Sequence, residues 1–499
     1  MSQIRKNSLK ATTWIYIGFL IGALNTYFLT HKSWFSTDQN GLTRTIIDLG
    51  QLVFAFSSLG TTSFLFKFFP YYQDNLDQKK NDMLSIALLI SMLGFASTAA
   101  GLFLLKPLVI QKFSANSIML VEYFYWIIPM GFFILLYNVL EAYSLGFQKG
   151  VLTSLLKETI LRLYTLVIIV LKILGFINFH TFIALFCFQY AIIVIILVLH
   201  LKRENKLWIS FSLSRVTLKF RKKIIAIMVL TFFVIIVNVL RQSIDGLVLA
   251  AKQNLGKVGI FGLASYMVSI LQAPFRSLVA ITIPILARAW KDKNQTEILR
   301  IYQRTSINML AFSLFVFFCI WLNFDNGIQL LHINPDYLEA KWVFFILGIV
   351  AIIELGTGVN SQIIGTSTFW RFELWTSLLL TLMIIPLSYI LTVKYGILGP
   401  ALANLISFSV YNFIRFSFLW KKFQMQPFTG KTLELIGIAL LAYVVANFTG
   451  GLFDGILSVV VTTTVFGMIF LPLFYWRDIS PDVKQLMQTF INRLQRNKQ

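Results

Sequence analysis

The residues best suited to chemistry in this chain are charged and amide side chains that interrupt long apolar stretches. Asn238, Arg241, Gln242 and Asp245 recur at i, i+3, i+4 and i+7, which places them on one helical face. A guanidinium binds phosphate oxygens through a forked set of donors, whereas a carboxylate can balance that charge or take up H⁺ or Na⁺. The pattern therefore predicts a polar face that handles an anionic group and does not rank the two ions.

Further stripes follow the same helical spacing in other apolar stretches. They comprise Arg44, Asp48, Gln51, Ser58 and Thr62; Ser154, Glu158 and Arg162; Ser265, Ser269, Gln272 and Arg276; Glu354, Thr357 and Ser361; and Asn404, Ser407, Tyr411 and Arg415. Ionisable side chains at membrane depth are costly and commonly face a cavity or a partner. We therefore interpret the stripes as the lining of one shared hydrophilic lumen.

From the stripes we predict two groups of site residues. The residues expected to bind substrate are Arg241, Arg276, Arg44, Arg162, Asn238, Gln242, Gln51 and Gln272, and those expected to couple ions or balance charge are Asp245, Asp48 and Glu158.

Simpler interpretations stay open. Arg44 and Arg415 lie near span ends and can extend to lipid headgroups. The pairs Arg241–Asp245 and Glu158–Arg162 can neutralise themselves locally. Pro274, two residues before Arg276, is compatible with a kink that takes part in gating or with an ordinary structural kink of the helix.

The elements that must hold these stripes are membrane-spanning helices. Of the 499 residues 57% are hydrophobic and only 13% are charged, and the mean hydropathy of +0.75 excludes an ordinary soluble domain. A helix of about 20 apolar residues crosses about 30 Å of hydrocarbon. We predict an all-α polytopic fold with about fourteen spans, near 11–30, 45–66, 84–105, 118–145, 153–175, 180–200, 224–250, 258–286, 305–324, 342–365, 372–392, 396–420, 432–449 and 452–475.

The distribution of positive charge predicts the orientation of the spans. The net charge of +22 invites a nucleic-acid partner, but with the N-terminus inside, 31 of the 43 Lys and Arg residues are cytoplasmic, 8 are external and 4 lie within spans. This asymmetry is the positive-inside pattern of a membrane protein, and it places both termini in the cytoplasm. The segment from Lys202 to Lys223 has eight basic residues and one acid, Glu204. It is expected to attract anionic lipids, with a docking protein as the alternative.

Proline- and glycine-containing segments stand at corresponding span ends in the two halves of the sequence. Their near-constant offsets of 214 to 221 residues indicate an internal repeat. Two parallel six-helix halves of this kind suit a transporter that works by alternating access. The predicted division is an N-terminal six-helix bundle at 1–201, a basic cytoplasmic linker at 202–223, a C-terminal six-helix bundle at 224–420, two added spans at 421–476 and an amphipathic cytoplasmic tail at 477–499.

The sequence contains no complete motif for nucleotide-dependent or zinc-dependent enzyme chemistry. Gly430-Lys431-Thr432 is not preceded by a glycine at 425, where Met425 stands, so the phosphate-binding loop pattern is incomplete. No H-E-x-x-H motif occurs, and the external loops are short. We therefore expect a protein that is not an enzyme and that needs neither a metal nor a cofactor.

Four stretches carry a resemblance to a known family. They are LGTTSFLFKFFPYY (59–72), IDGLVLAAKQNLGKVGIFGLASYMVSI (244–270), INPDYLEAKWVFFILG (333–348) and YGILGPALANLISF (395–408). In order and spacing they resemble the polysaccharide flippases of the multidrug/oligosaccharidyl-lipid/polysaccharide (MOP) exporter superfamily, over about residues 7 to 476. Asp245 and Gly259 stand at positions that resemble those of the family's motif, whereas Phe261 stands where the family often has tyrosine.

The resemblance implies two six-helix bundles around a cationic cavity in a multi-pass protein of the bacterial plasma membrane. The implied cargo is an undecaprenyl-pyrophosphate-linked oligosaccharide for O-antigen, lipopolysaccharide or exopolysaccharide synthesis. Expected partners are membrane lipids, this lipid-linked oligosaccharide, H⁺ or Na⁺, and a polysaccharide polymerase or glycosyltransferases; no nucleic-acid partner is expected. The alternatives are a drug or cation antiporter or a peptidoglycan-precursor flippase of the same fold, and then a membrane polymerase or glycosyltransferase.

Overall fold

The computed structural model describes residues 3–210, 212–480 and 482, and within these ranges the chain forms helices and no β-strand. The tail helix predicted at 477–499 falls mainly outside these residues and stays a prediction. The helices are α1 (Gln3–Thr30), α2 (Thr37–Ser57), α3 (Thr61–Asn75), α4 (Met83–Phe113), α5 (Ile118–Glu122), α6 (Ile127–Gly146), α7 (Gly150–Ser154), α8 (Leu161–Ile173), α9 (Phe179–Cys187), α10 (Gln189–Arg203), α11 (Arg215–Lys252), α12 (Leu255–Lys291), α13 (Gln295–Leu322), α14 (Phe324–Leu330), α15 (Ala340–Gly356), α16 (Asn360–Thr366), α17 (Trp370–Tyr395), α18 (Leu398–Phe423), α19 (Gly430–Gly450) and α20 (Gly455–Trp476).

Among the described residues, eleven helices are long and apolar enough to cross a membrane, or up to thirteen if each of two bent pairs forms one span. The multi-pass helical fold is therefore confirmed, while the number of fourteen spans and the side of the termini stay predictions. The remaining predicted span corresponds to a continuous helical segment at 150–173, in which a π-helix (Leu155–Ile160) joins α7 to α8. That segment contains four charged residues, Lys157, Glu158, Arg162 and Lys172.

A sharp bend separates α2 from α3, by 53°. Leu59 and Gly60 have φ angles of +44° and +76°, a left-handed conformation that glycine adopts without steric cost. A Cβ atom at Gly60 would lie 2.1 Å from the carbonyl oxygen of Met228, so glycine also allows α11 to approach closely. The predicted stripe from Arg44 to Thr62 therefore lies on two helical segments and not on one continuous face.

The chain divides into two compact units, Met1–Gly259 and Ile260–Gln499. In the first unit α2 packs against α4, α6 and α11, and large side chains such as Tyr72 and Tyr137 are fully buried. In the second unit α18 packs against α15 and α17, and α19 packs against α20. The division lies within α12, whereas the predicted boundaries of the six-helix bundles and the linker are not tested by it.

The polar segment after α10 is held by one carboxylate. Lys149 Nζ lies 2.5 Å from Glu204 Oε1 and Lys206 Nζ lies 2.6 Å from Glu204 Oε2. These two hydrogen bonds lower the pKa of Glu204 to about 2, because the ammonium groups favour the charged carboxylate. The single acid of the basic segment therefore ties it to the turn between α6 and α7.

Glu204→Gln is expected to lower the melting temperature of the purified protein at pH 7 by about 1–2 °C, since partly exposed ion pairs contribute little. A folded-state pKa below the ordinary value of 4.5 means that the ion pairs stabilise the fold above pH 4.5. This contribution is lost as the pH falls from 4.5 towards 2. Melting curves in detergent should show the wild-type advantage shrinking over that range, with Asp74→Asn as an exposed control. An advantage independent of pH would contradict this assignment.

Candidate functional site

The first unit contains a small polar cavity of about 260 Å³, lined by residues of α2, α3, α6 and α11. Its polar lining residues are Thr62, Asn138, Glu141 and Asn238, and the rest of its wall is apolar. A few polar groups in an apolar wall are typical of a site that orients a ligand by hydrogen bonds. At about 30 Å³ per water molecule, the cavity of about 260 Å³ has the volume of about nine waters or one small group, and not of an oligosaccharide.

The carboxylate of Glu141 is surrounded by ionisable groups of three helical segments. Lys157 Nζ lies 3.5 Å from Glu141 Oε2, and the hydroxyl of Tyr137 lies 3.5 Å from Glu141 Oε1. That hydroxyl also donates to the carbonyl oxygen of Thr153 at 3.0 Å. Glu158 interacts electrostatically with Glu141, and Tyr190 interacts with both acids. Glu141 is therefore paired with Lys157, lies near a second acid and also lines the cavity.

The π-helix Leu155–Ile160 positions Lys157 and Glu158. Its wider turn changes the direction of these side chains relative to an α-helix, a distortion often found at functional sites. Glu158 Oε2 accepts a hydrogen bond from Arg162 Nη2 at 2.8 Å, and the carbonyl oxygen of Arg162 accepts one from Asn25 Nδ2 at 2.9 Å. Of the two interpretations of Glu158 and Arg162, the structure shows the local ion pair.

Helix α1 packs directly against this π-helix. Thr159 Oγ1 donates to the carbonyl oxygen of Trp14 at 2.8 Å, and a Cβ atom at Gly18 would lie 2.0 Å from the carbonyl oxygen of Glu158. Because that neighbour is backbone, a side chain at Gly18 would force the two segments apart. The glycine therefore fixes the position of the Glu158–Arg162 pair.

Gly18→Ala is expected to destabilise the protein by about 1–3 kcal/mol, the usual cost of overpacking. Gly101→Ala is the matched control, because a Cβ atom there meets nothing within 4 Å and should be neutral or slightly stabilising. Thermal unfolding of both purified variants in detergent measures the difference. Equal melting temperatures would show that α1 does not press on the π-helix.

The second unit has a buried ion pair between α17 and α18. Arg415 is only 2% exposed, and its guanidinium pairs with the carboxylate of Glu373. It also lies 3.6 Å from the ring centroid of Tyr411, and Ser361 Oγ donates to Glu373 Oε1 at 2.8 Å. The expectation that Arg415 extends to headgroups is wrong, because these partners replace water around its charge.

The polar cluster of the second unit continues to α12 and α15. Gln272 Nε2 donates to Glu354 Oε2 at 3.1 Å, and Glu354 interacts electrostatically with Arg415 and Tyr411. Asn412 accepts hydrogen bonds from Thr357 and Asn360 at 3.0 and 3.1 Å. The predicted substrate-binding residue Gln272 is therefore engaged inside its own unit.

The two units contain corresponding clusters of two acids and one tyrosine. The pairs Glu141/Glu354, Glu158/Glu373 and Tyr190/Tyr411 are 213, 215 and 221 residues apart, in agreement with the offsets of the predicted repeat. In each unit the tyrosine interacts with both acids. The clusters differ in their cations: in the first unit Glu141 lies 3.5 Å from Lys157 and Glu158 lies 2.8 Å from Arg162, whereas in the second unit Glu373 is paired with the buried Arg415.

A third group joins α2 to α11 within the first unit. Asp48 interacts electrostatically with Arg44 and Asp245, and all three side chains are half-buried. A Cβ atom at Gly246 would lie 2.7 Å from Asp48 Oδ2, so the glycine admits this carboxylate against α11. The structure thus brings together three residues that were predicted from two separate stripes.

Four other predicted residues have no polar partner within the described part of the chain. Arg241 and Gln51 are half-buried, and Arg276 and Gln242 are exposed. Helix α12 runs on as a helix through Pro274 beside Arg276. Neither arginine forms an ion pair with any residue that the structure describes, so both guanidinium groups are available to an anion. Asn238, in contrast, lies with Glu141 at the cavity.

Sequence reasoning did not select several residues of these clusters. Glu141, Lys157, Tyr190 and Glu373 were not selected as site residues. Glu141 could have been identified from Glu354 by the offset of the internal repeat. No comparable signal in the sequence indicates the π-helix that orients Lys157.

Comparison with known proteins identifies the fold. No protein-family model matches the chain, and no curated protein matches it significantly. Among solved structures it is similar to the lipid II flippase MurJ in an inward closed conformation, with a TM-score of 0.71 and 16% identity over 94% of this chain and 99% of that one. It is also similar to an inward-facing multidrug resistance MATE family transporter of the MOP superfamily, with a TM-score of 0.56 and 13% identity over 83% and 99% of the chains.

These identities are low, so the similarity concerns the fold and not the cargo. The apolar helices and the two neighbouring structures agree on the class of protein. The chain is a multi-pass helical membrane protein with the fold shared by flippases and transporters of the MOP superfamily.

Proposed function

We propose that the protein is a flippase that moves undecaprenyl-pyrophosphate-linked oligosaccharide units across the bacterial plasma membrane by alternating access, for surface polysaccharide synthesis. One observation carries this proposal: Arg241 and Arg276 lie in apolar helices and are not neutralised by any described carboxylate. Unpaired guanidinium groups at membrane depth are costly to keep and are suited to binding phosphate oxygens. An anionic lipid-linked cargo would supply the missing negative charge.

The fold supports a large amphipathic cargo. The structure with a TM-score of 0.71 is described as a lipid II flippase, so this fold can serve a protein that moves a lipid-linked substrate. For the present chain, the nature of the glycan and of the carrier lipid is part of our proposal.

The acidic residues divide into two roles in this proposal. Asp48 and Asp245 share the neighbourhood of one arginine, Arg44, and are the pair that we assign to H⁺ or Na⁺ coupling. Glu158 is engaged by Arg162 at 2.8 Å, and we assign it to charge balance. Arg44 and Arg162, both close to acids, are then secondary to Arg241 and Arg276 in binding the cargo.

The amides have a narrower role than the predicted one. Asn238 lies at a cavity too small for a sugar chain, and Gln272 is bonded to Glu354. Gln51 and Gln242 have no hydrogen bond to any residue in the described ranges, and we assign to them the contacts with sugar hydroxyls.

A drug or cation antiporter of the same fold is the second candidate. The half-buried carboxylate of Glu141 at a cavity of about 260 Å³ favours it, because a small cation would fit there. A peptidoglycan-precursor flippase is supported by the similarity to MurJ. A membrane polymerase or glycosyltransferase has the least support, since no large external domain is present in the described residues.

A panel of cargoes distinguishes these functions. The purified protein is reconstituted in liposomes with a fluorescent polyprenyl-pyrophosphate oligosaccharide, with a lipid II analogue or with a cationic dye, under proton, sodium and voltage gradients. We expect exposure of the oligosaccharide lipid in the opposite leaflet and no energised dye efflux. Selective movement of the lipid II analogue, dye antiport or formation of a sugar bond would each replace the proposal with the corresponding alternative.

A further inference from the structure

The first unit has a second cavity, of about 390 Å³, between α3, α4 and α11. We call it the lipid-facing cavity and define it by Leu59, Phe64, Ile90, Arg221, Ile225 and Phe232. Its wall is apolar apart from Thr217 and Arg221, and its volume lies in the range of about 300–1,000 Å³ that holds small organic ligands. Such a wall suits a hydrocarbon chain and not a sugar.

The dimensions of the cavity match one leaflet of a bilayer. Along α11 its lining residues run from Thr217 to Phe232, a rise of about 22 Å at 1.5 Å per residue. Half of a bilayer, with its headgroup region, is also about 20–22 Å thick. Ile225 and Val229 are 61% and 52% exposed, so the cavity is open at its side. An acyl chain could therefore enter laterally and lie along α11.

The polar end of the cavity is positively charged. Arg221 is exposed, forms no ion pair with any described residue and is followed by Lys222 and Lys223. The buried acid Asp82 forms no ion pair with Arg221: its Oδ2 accepts hydrogen bonds from the Ser214 amide and from Thr217 Oγ1, both at 2.8 Å, and its Oδ1 has no hydrogen-bond partner among the described residues. A phosphate group is the complement that Arg221 lacks, because a guanidinium forms charge-assisted bonds to its oxygens.

The walls of the cavity are fixed at both ends of its length. Near Arg221, Thr217 Oγ1 is hydrogen-bonded to Asp82 and to the hydroxyl of Tyr72, the latter at 2.7 Å. Further along α11, the Met228 backbone lies against Gly60 at the bend between α2 and α3. These contacts fix α11 to the start of α4 and to the bend between α2 and α3, at the two ends of the cavity.

We propose that the lipid-facing cavity binds an anionic phospholipid, with one acyl chain along α11 and the phosphate on Arg221. The site is separate from the residues assigned to the cargo and is present whichever lipid-linked substrate is moved. Because the chain would lie against the bend at Leu59–Gly60, bound lipid should stabilise the first unit. The positive charge near residue 221 would then bind one phospholipid at a defined site, in addition to its general attraction to the membrane surface.

The test is lipid titration of the full-length protein, delipidated in detergent, by thermal shift and native mass spectrometry. Phosphatidylglycerol should raise the melting temperature and phosphatidylcholine should not. Arg221→Ala should weaken phosphatidylglycerol binding by about ten-fold or more, the effect of losing one charge-assisted contact. Lys222→Ala, which removes a neighbouring charge outside the cavity, should change binding by less than about three-fold, as an exposed charge contributes little.

Equal binding of the two phospholipids, or equal losses in both variants, would overturn the proposal in favour of diffuse surface attraction. Displacement of phosphatidylglycerol by polyprenyl phosphate at lower concentration would overturn it in favour of a carrier-lipid site. A phosphatidylglycerol with a photoreactive group on its acyl chain tests the location in the wild-type protein, independently of any variant. Adducts are expected at Ile225 and Val229, and adducts confined to other helices would contradict the proposed position.

Discussion

Arg415→Ala is expected to destabilise the protein by about 3–5 kcal/mol, the largest effect on stability that we predict. The substitution leaves the carboxylate of Glu373, which pairs with Arg415 between α17 and α18, as a buried charge without its cation. Membrane yield and the melting temperature of the purified protein should both fall. Lys421→Ala, at an exposed position of the same helix, should change the stability by less than about 0.5 kcal/mol.

A double variant separates the loss of the pair from the loss of the side chain. Arg415→Met with Glu373→Leu removes both charges and keeps apolar volume, so most of the stability should return. If Arg415→Ala alone is as stable as the wild type, water must reach this cluster, and the assignment of Arg415 as a fixed counter-ion is wrong. If the double variant is as unstable as the single one, packing and not charge accounts for the loss.

Arg241→Ala and Arg276→Ala are expected to reduce polysaccharide export at least ten-fold each, while the protein still reaches the membrane. A hydrogen bond to a charged group contributes about 1.5–3 kcal/mol, which corresponds to a factor of about 10 to 150. Arg241→Lys should retain intermediate activity, because lysine keeps the charge but loses the forked donors. Surface polysaccharide per cell, normalised to the amount of membrane protein, measures the effect.

Arg288→Ala is the control for that experiment, since the side chain of Arg288 is 85% exposed and, within the described part of the chain, forms an ion pair with Asp292 alone. It should export normally. Full export in both Arg241→Ala and Arg276→Ala would show that these side chains do not engage the cargo. Loss of export with a matching loss of membrane protein would show a structural role in its place.

Hydropathy was sufficient to predict the class of fold, because each span buries apolar side chains in lipid whatever its neighbours are. It was insufficient where tertiary contacts determine the backbone. The π-helix at Leu155–Ile160 is stabilised by contacts with α1 at Trp14 and Gly18, more than 130 residues earlier. The bend at Gly60 likewise depends on the approach of α11. Neither partner can be inferred from local composition.

The site residues show the same limit. Helical spacing correctly placed Glu158 beside Arg162, since an i,i+4 pair depends on one helix. The pairing of Arg415 with Glu373 joins two helices and was missed, because Arg415 was interpreted from its distance to a span end. The proximity of Asp48 to Asp245 also required the packing of α2 on α11. The spacing of polar residues indicates which of them share a face of one helix. Only the tertiary packing shows which neighbouring helix that face contacts.

The repeated clusters suggest where the two halves differ in function. In the second unit Glu373 Oε1 is paired with the buried guanidinium of Arg415, whereas Glu373 Oε2 has no hydrogen-bond partner among the described residues. In the first unit Glu141 lies at a cavity, and its lysine is 3.5 Å away. The corresponding acids Glu158 and Glu373 are each paired with an arginine, so the two units differ in the cavity at Glu141.

The central claim is that guanidinium groups of this chain engage a lipid pyrophosphate. The most direct measurement is the initial rate at which a fluorescent polyprenyl-pyrophosphate oligosaccharide appears in the opposite leaflet of liposomes that contain wild-type protein or the Arg241→Ala/Arg276→Ala double variant. We predict rapid movement with the wild type and a background rate with the double variant at equal amounts of folded protein. Equal rates for the two proteins would contradict the claim.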